Sequence, residues 1–186
     1  VRFLSRNLIH PPLSERFMEL SPRVDLALKH LESARTYMRG LLADLTPDEW
    51  FWTPQPPISH IAWQVGHLAV AEYGLMLFRQ RGRQEVDAEL MSGAFRKLFM
   101  KGTTASSDRT GHPDPQEILA VLDRVHQQVL REVPGFSDAE LDQPIAPPHS
   151  VVSTRYGSML FAGDHEMLHA GQIGFLRRLM GKAPVR

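Results

Sequence analysis

Residues 163–181 read GDHEMLHAGQIGFLRRLMG. They form the end of a helical segment that opens near Ser153 or Thr154 and runs to Gly181, with Arg177 and Arg178 in its last turn, where positive charge suits the helix dipole. His165-Glu166-x-x-His169 lies inside it, the lettering of a zinc protease. The two histidines are one turn apart, with a rise of ~6 Å and a rotation of ~40° between them. Both imidazoles can therefore reach one ion. They share a helix face with Phe161, Ala162, Leu168 and Gln172, which predicts that they point inward. Buried imidazoles need partners, and one metal ion satisfies both.

A protease of this type takes its third ligand from downstream, as a glutamate or as the last histidine of the extended motif. Only seventeen residues follow His169, and none is Asp, Glu or His. Gln172 stands where the extended motif has glycine, and nothing upstream reads as a strand that would bind a peptide. The reading is therefore not a zincin protease, and the third ligand must come from before the motif.

Upstream, three more helices are marked by caps and stripes. Ser21-Pro22 opens the first, followed by an apolar stripe of Val24, Ala27, Leu28, Leu31, Ala34, Met38 and Leu41. The second follows the proline-rich TPQPPI, with Ser59 as cap and Ile58 and Trp63 as a staple, and extends to about Gly82. The third opens at Asp114-Pro115 with Glu117 closing a capping box, and Ile118, Leu122, Val125 and Val129 form its stripe. Strand-like alternation is almost absent. The expected fold is all-α: a four-helix bundle with a short extra helix, in EVDAELMSGAFRKLFM, between helices two and three. Residues 1–186 read as one domain with an N-terminal extension over 1–20. LTPDEWFWTP (45–54) and FSDAELDQP (136–144) resemble each other, each pairing Thr or Ser with Glu three residues on. They suggest two similar halves in which helices two and four correspond.

Nine histidines are the one oddity of composition. On the second helix His60, Trp63, Gln64, His67 and Ala71 make one stripe, and Gly66 would let a neighbour approach closely. His60 and His67 lie ~10 Å apart along the axis, too far to share an ion easily. His67, deeper in the helix, is the better third ligand; His60 lines the mouth of the site or caps a polar edge. His30 and His126 flank apolar stripes and read as structural, while His10, His112 and His149 sit in loops and are expected in solvent. Glu166, ~100° around from His165, should face a neighbouring helix or solvent.

Twenty-one Lys and Arg balance twenty-one Asp and Glu, which disfavours nucleic acid or an anionic membrane as partner. No segment approaches a membrane span, and the start has no unbroken apolar run like a signal peptide. A cytoplasmic protein is expected. Without cysteine the chain has no disulfide and no thiolate of its own.

SHIAWQVGHLAVAEY (59–73) and GDHEMLHAGQIGFLRRLMGKAP (163–184), with LTPDEWFWTP, resemble the DinB-like (YfiT-like) superfamily of metal-binding four-helix bundles over roughly residues 22–182. The resemblance implies that His67, His165 and His169 hold a divalent ion, with zinc, nickel or iron all compatible. It also implies kinship with thiol-dependent enzymes, among them bacillithiol and mycothiol S-transferases and an isomerase. Three neutral ligands leave an open position, as in a catalytic site. The leading expectation is an enzyme that uses a low-molecular-weight thiol on a small-molecule substrate. The alternatives are a hydrolase with Glu72 or Glu166 as base, or a non-catalytic metal- or ligand-binding protein. Gln172 shares the histidine face and is the candidate to orient a ligand at the open position. A homodimer is expected, with the first twenty residues and the 83–113 segment as candidates for its contacts or for substrate choice.

Overall fold

A computed structural model describes residues 20–55, 58–106 and 109–185. Most of the N-terminal extension, His10 included, lies outside the described residues. Four long helical stretches carry the fold: α1 (Pro22–Leu42), α3 (Ile61–Glu72) with its continuation, α7 (Pro115–Glu132) and α9 (Arg155–Leu179). Local chemistry sets their starts. Ser21 accepts from Arg23 N at α1, Asp114 accepts from Glu117 N at 2.8 Å at α7, and Thr154 accepts from Gly157 N at 3.1 Å at α9.

The second long helix ends at Gly82 as expected but departs from the expectation at its start. Its cap is His60 rather than Ser59: His60 Nδ1 accepts from Trp63 N at 3.0 Å. With the cap one residue later, Ile58 and Trp63 no longer occupy the staple positions, and Ile58 is exposed. The helix then widens into a π-helical stretch, Tyr73–Phe78, before a last turn, α4 (Arg79–Arg81). Gly82 closes it with φ +78, a left-handed value that glycine adopts without steric cost. The extra helix between helices two and three is two short pieces, α5 (Asp87–Leu90) and α6 (Gly93–Phe99). The internal resemblance is also visible. α2 (Pro47–Trp50) and α8 (Asp138–Leu141) each begin with a capping box, Thr46 with Glu49 and Ser137 with Glu140.

Contacts fix the order of the bundle. Arg23 stacks over Tyr156, and Arg177 Nη1 donates to Leu41 O at 2.7 Å, so α1 and α9 run side by side in the same direction. Ser158 donates to Leu75 O at 2.8 Å, while Gln64 reaches His169, so α3 runs against α9. Helices two and four are thus antiparallel neighbours. Val24, Leu31, Met38, Val65, Leu122, Val125 and Ile173 meet between them with essentially no exposure. Among the described residues there is no strand, and no helix is long and apolar enough to cross a membrane.

Candidate metal centre

The antiparallel packing of α3 on α9 brings three histidines to one point. One ligand atom from each of His67, His165 and His169 lies within 4.8 Å of the others. Their ring centroids are 5.3 Å apart for His67–His165, 5.1 Å for His67–His169 and 4.6 Å for His165–His169. His67 and His169 are buried and His165 is half-buried.

Two of the rings are held by their far nitrogens. His67 Nδ1–H donates to Phe99 O at 2.7 Å, and His169 Nδ1–H donates to the Gln64 side-chain oxygen. That tautomer leaves the lone pair on Nε2, free for a ligand. Burial pushes all three imidazoles below their ordinary pKa; for His165 and His169 the neighbouring histidines push further, to about 4 and about 3. Each is therefore neutral near pH 7, the state a metal requires. Trp63 stacks on His67, rings 4.8 Å apart and 6° from parallel, and its indole N–H donates to Thr103 Oγ1 at 2.9 Å. A cavity of about 590 Å³ lies elsewhere, lined by Arg39, Leu42, Trp50 and Leu119 among others, and touches none of the three histidines.

The model of the DinB superfamily matches residues 30–173, more than half of the chain and all three histidines. The chain belongs to the DinB superfamily. No curated protein matches it. A solved structure, described as a conserved protein of Enterococcus faecalis, superposes with a TM-score of 0.60 at 20% identity. It covers 86% of this chain and 98% of its own, and at that identity the likeness shows the fold alone. Superfamily membership and the three-histidine cluster together fit metal binding.

Other residues singled out from the sequence are placed as follows. His60 is fully buried with both nitrogens engaged, Nδ1 as helix cap and Nε2–H donating to Ser106 O at 3.0 Å, so neither is left for an ion. His30 pairs with Asp164 at 2.8 Å, and His126 with Glu72 at 2.8 Å. His112 and His149 are half-buried rather than in solvent: their loops fold onto aromatic rings, His112 6.0 Å from His60 and His149 5.4 Å from Phe161. Leu168, expected inward, is 61% exposed, and Gln172 is exposed as well. The histidine face of α9 is thus the rim of the bundle, where α3 covers only His169 fully.

Glu166 faces α1. Arg35 binds it through both Nε and Nη2, and Nη2 also meets Glu72 Oε2 at 2.7 Å. All three side chains are buried, an ion cluster behind the histidines. Burial raises the Glu166 carboxyl. It opposes ionisation of Glu72 too, but Arg35 and His126 prevail and hold that carboxyl low. Sequence reasoning gave no role to Gln64, Phe99 O or Arg35. Gln64 had a signal, its place one turn before His67 on the same stripe. A backbone carbonyl from a distant loop has none.

Proposed function

We propose that His67, His165 and His169 hold a divalent metal ion, and that the protein is an enzyme using a low-molecular-weight thiol to attack an electrophilic small molecule. The observation that carries the proposal is the donor set: three neutral imidazoles from two helices, two with Nδ1 already committed, and no carboxylate in the group. Imidazole donors suit zinc, nickel or iron. A divalent ion bound there supplies an open Lewis-acid position that lowers the pKa of a thiol or water.

The chain's own residues prepare that position. Phe99 O and Gln64 fix the ring orientations, and Trp63 covers one face of His67. Lys101, two residues after the Phe99 carbonyl, adds a small positive influence on His67, His165 and His149 behind the dominant effect of burial. In the transfer the thiol loses its proton to solvent, sulfur bonds to the electrophilic carbon, and the leaving group departs with its electron pair. A cytoplasmic setting, where small thiols are kept reduced, suits that chemistry. Gln172, exposed next to the histidine face, would orient the incoming ligand. The hydrolase alternative needs a free base, and both carboxylates considered for it are committed to Arg35.

The test is metal analysis of the purified protein, then turnover of electrophiles with and without small thiols, in apo and Zn-, Ni- or Fe-loaded protein. Thiol-dependent turnover that needs the metal supports the reading. Metal at full occupancy with no thiol dependence refutes the transferase and leaves a binding protein; no metal uptake refutes both.

A further inference from the structure

Four of the eleven large apolar side chains exposed among the described residues fall in one stretch of α9: Met167, Leu168, Phe175 and Leu179. Leu168 is 61% and Phe175 49% exposed. Such a cluster on one helix marks a contact surface. Its pattern says what covers it. Gly171 lies at its centre, exposed, and a Cβ there would meet nothing within 4 Å. Asp164 lies seven residues before it and Arg178 seven after, both exposed. Leu168 is three before and Phe175 four after. At ~100° per residue, Asp164, Leu168, Phe175 and Arg178 all fall within ~60° of the Gly171 direction.

We infer that this face is the interface with a second copy of the chain, two α9 helices crossing antiparallel at Gly171. A two-fold axis there makes the surface self-complementary, as an isologous dimer requires. Asp164 meets the partner's Arg178 at each end, ~10 Å from the centre. Leu168 packs against the partner's Phe175, twice by symmetry. The bare glycines let the backbones approach closely at the crossing. His165 is ~120° around the helix from Gly171, so the interface flanks the histidine site without covering it. Gln172, ~100° around from Gly171, lies at the edge of the interface nearest the histidines.

Sedimentation equilibrium of the full chain tests this, with helicity and melting followed by circular dichroism. The wild type is expected at about 42 kDa, twice 21.1 kDa. Leu168→Glu should weaken the dimer roughly a hundred-fold, about ten-fold for each of two symmetric leucines. Val151→Glu, an equally exposed apolar position off α9, should leave it intact. Asp164→Arg should dissociate the dimer and Asp164→Arg with Arg178→Asp should restore it, which holds even where Leu168→Glu lowers the melting point. A wild-type monomer at ~100 μM, well above the micromolar Kd of a specific contact, would overturn the inference. So would a dimer that survives both Leu168→Glu and Asp164→Arg.

Discussion

Gly66 offers a direct probe of how the bundle holds His67. A Cβ built on it would lie 2.5 Å from Phe99 Cδ1 and Cγ and 2.7 Å from Cε1. Carbon atoms prefer ~3.5–4.0 Å, so in Gly66→Ala the ring must retreat by ~1 Å or α3 must move. Phe99 is fully buried and cannot swing into solvent. Overpacking of this kind costs ~2–3 kcal/mol, and the helix preference of alanine over glycine returns ~1 kcal/mol. The net loss of ~1–2 kcal/mol should lower Tm by ~2–8 °C for a chain of this size. The same residue supplies the carbonyl 2.7 Å from His67 Nδ1, and because the buried ring has no free space to turn into, a ~1 Å shift of α3 away from α6 takes His67 beyond hydrogen-bond reach of it. Metal affinity should then fall ~10–100-fold, the range for losing a group that orients a ligand. Gly163→Ala is the control. Its Cβ would meet the His30 ring just as closely, but His30 is more than a third exposed and can turn aside. That variant should keep its stability within ~1 kcal/mol of the parent or gain slightly. Thermal melts and competition titrations with a zinc indicator decide it: equal Tm and equal affinity for Gly66→Ala and the parent would refute the coupling of Phe99 to His67.

Chelation should lower Tm in the wild type, by ~5–11 °C if metal had been present at a hundred times its Kd, and His169→Ala should abolish the difference. The apo protein should lose stability as pH falls: His165 and His169 have folded pKa values of about 4 and about 3 against an ordinary 6.5, so protonation favours the unfolded chain. Urea midpoints of apo protein should therefore be flat above pH 7 and decline from pH 6.5 toward 4; a midpoint that rises on acidification would contradict the burial of these rings. Arg35→Met leaves Glu72 and Glu166 buried together, and should cost ~3–5 kcal/mol in denaturant titrations at pH 7. Gln64→Leu should weaken metal binding ~10–100-fold, whereas Gln172→Leu should keep metal content near normal and cut turnover by a similar factor, both within the range for groups that orient a ligand or its neighbours. Equal metal affinity in Gln64→Leu and the parent would mean that Gln64 does not orient His169.

The architecture was legible because its signals are local. Caps at Ser21, Asp114 and Thr154 and apolar stripes of period 3.6 depend on residues within a turn or two of each other, and these landed where the helices begin and pack. The repeated Thr/Ser-x-x-Glu pairs were legible for the same reason. What escaped depended on distant partners. The choice of His60 over Ser59 as cap follows from its other nitrogen donating to Ser106, forty-six residues on. The exposure of Leu168 follows from where α1 and α3 sit around α9, which no periodicity within α9 records. Sequence spacing placed His165 and His169 on one face correctly, yet spacing alone does not say whether that face is the centre of the bundle or its rim.

The setting of Glu166 shows how far identical letters can differ in surroundings. In a zincin the glutamate of the motif serves the metal-bound water as base. Here Glu166 is ~100° around the helix from His165, and α1 occupies that direction with Arg35. The carboxylate is 1% exposed and bound through two guanidinium nitrogens. Freeing it would break its pair with Arg35 in the core at a cost of ~3–5 kcal/mol, which cancels the ~100- to 10,000-fold, or ~3–5 kcal/mol, that a well-placed base returns. The helix therefore divides its labour by face. The histidines turn toward α3 and the rim, Glu166 turns toward α1, and a proton acceptor for chemistry at the histidines has to come from the substrate side or from solvent.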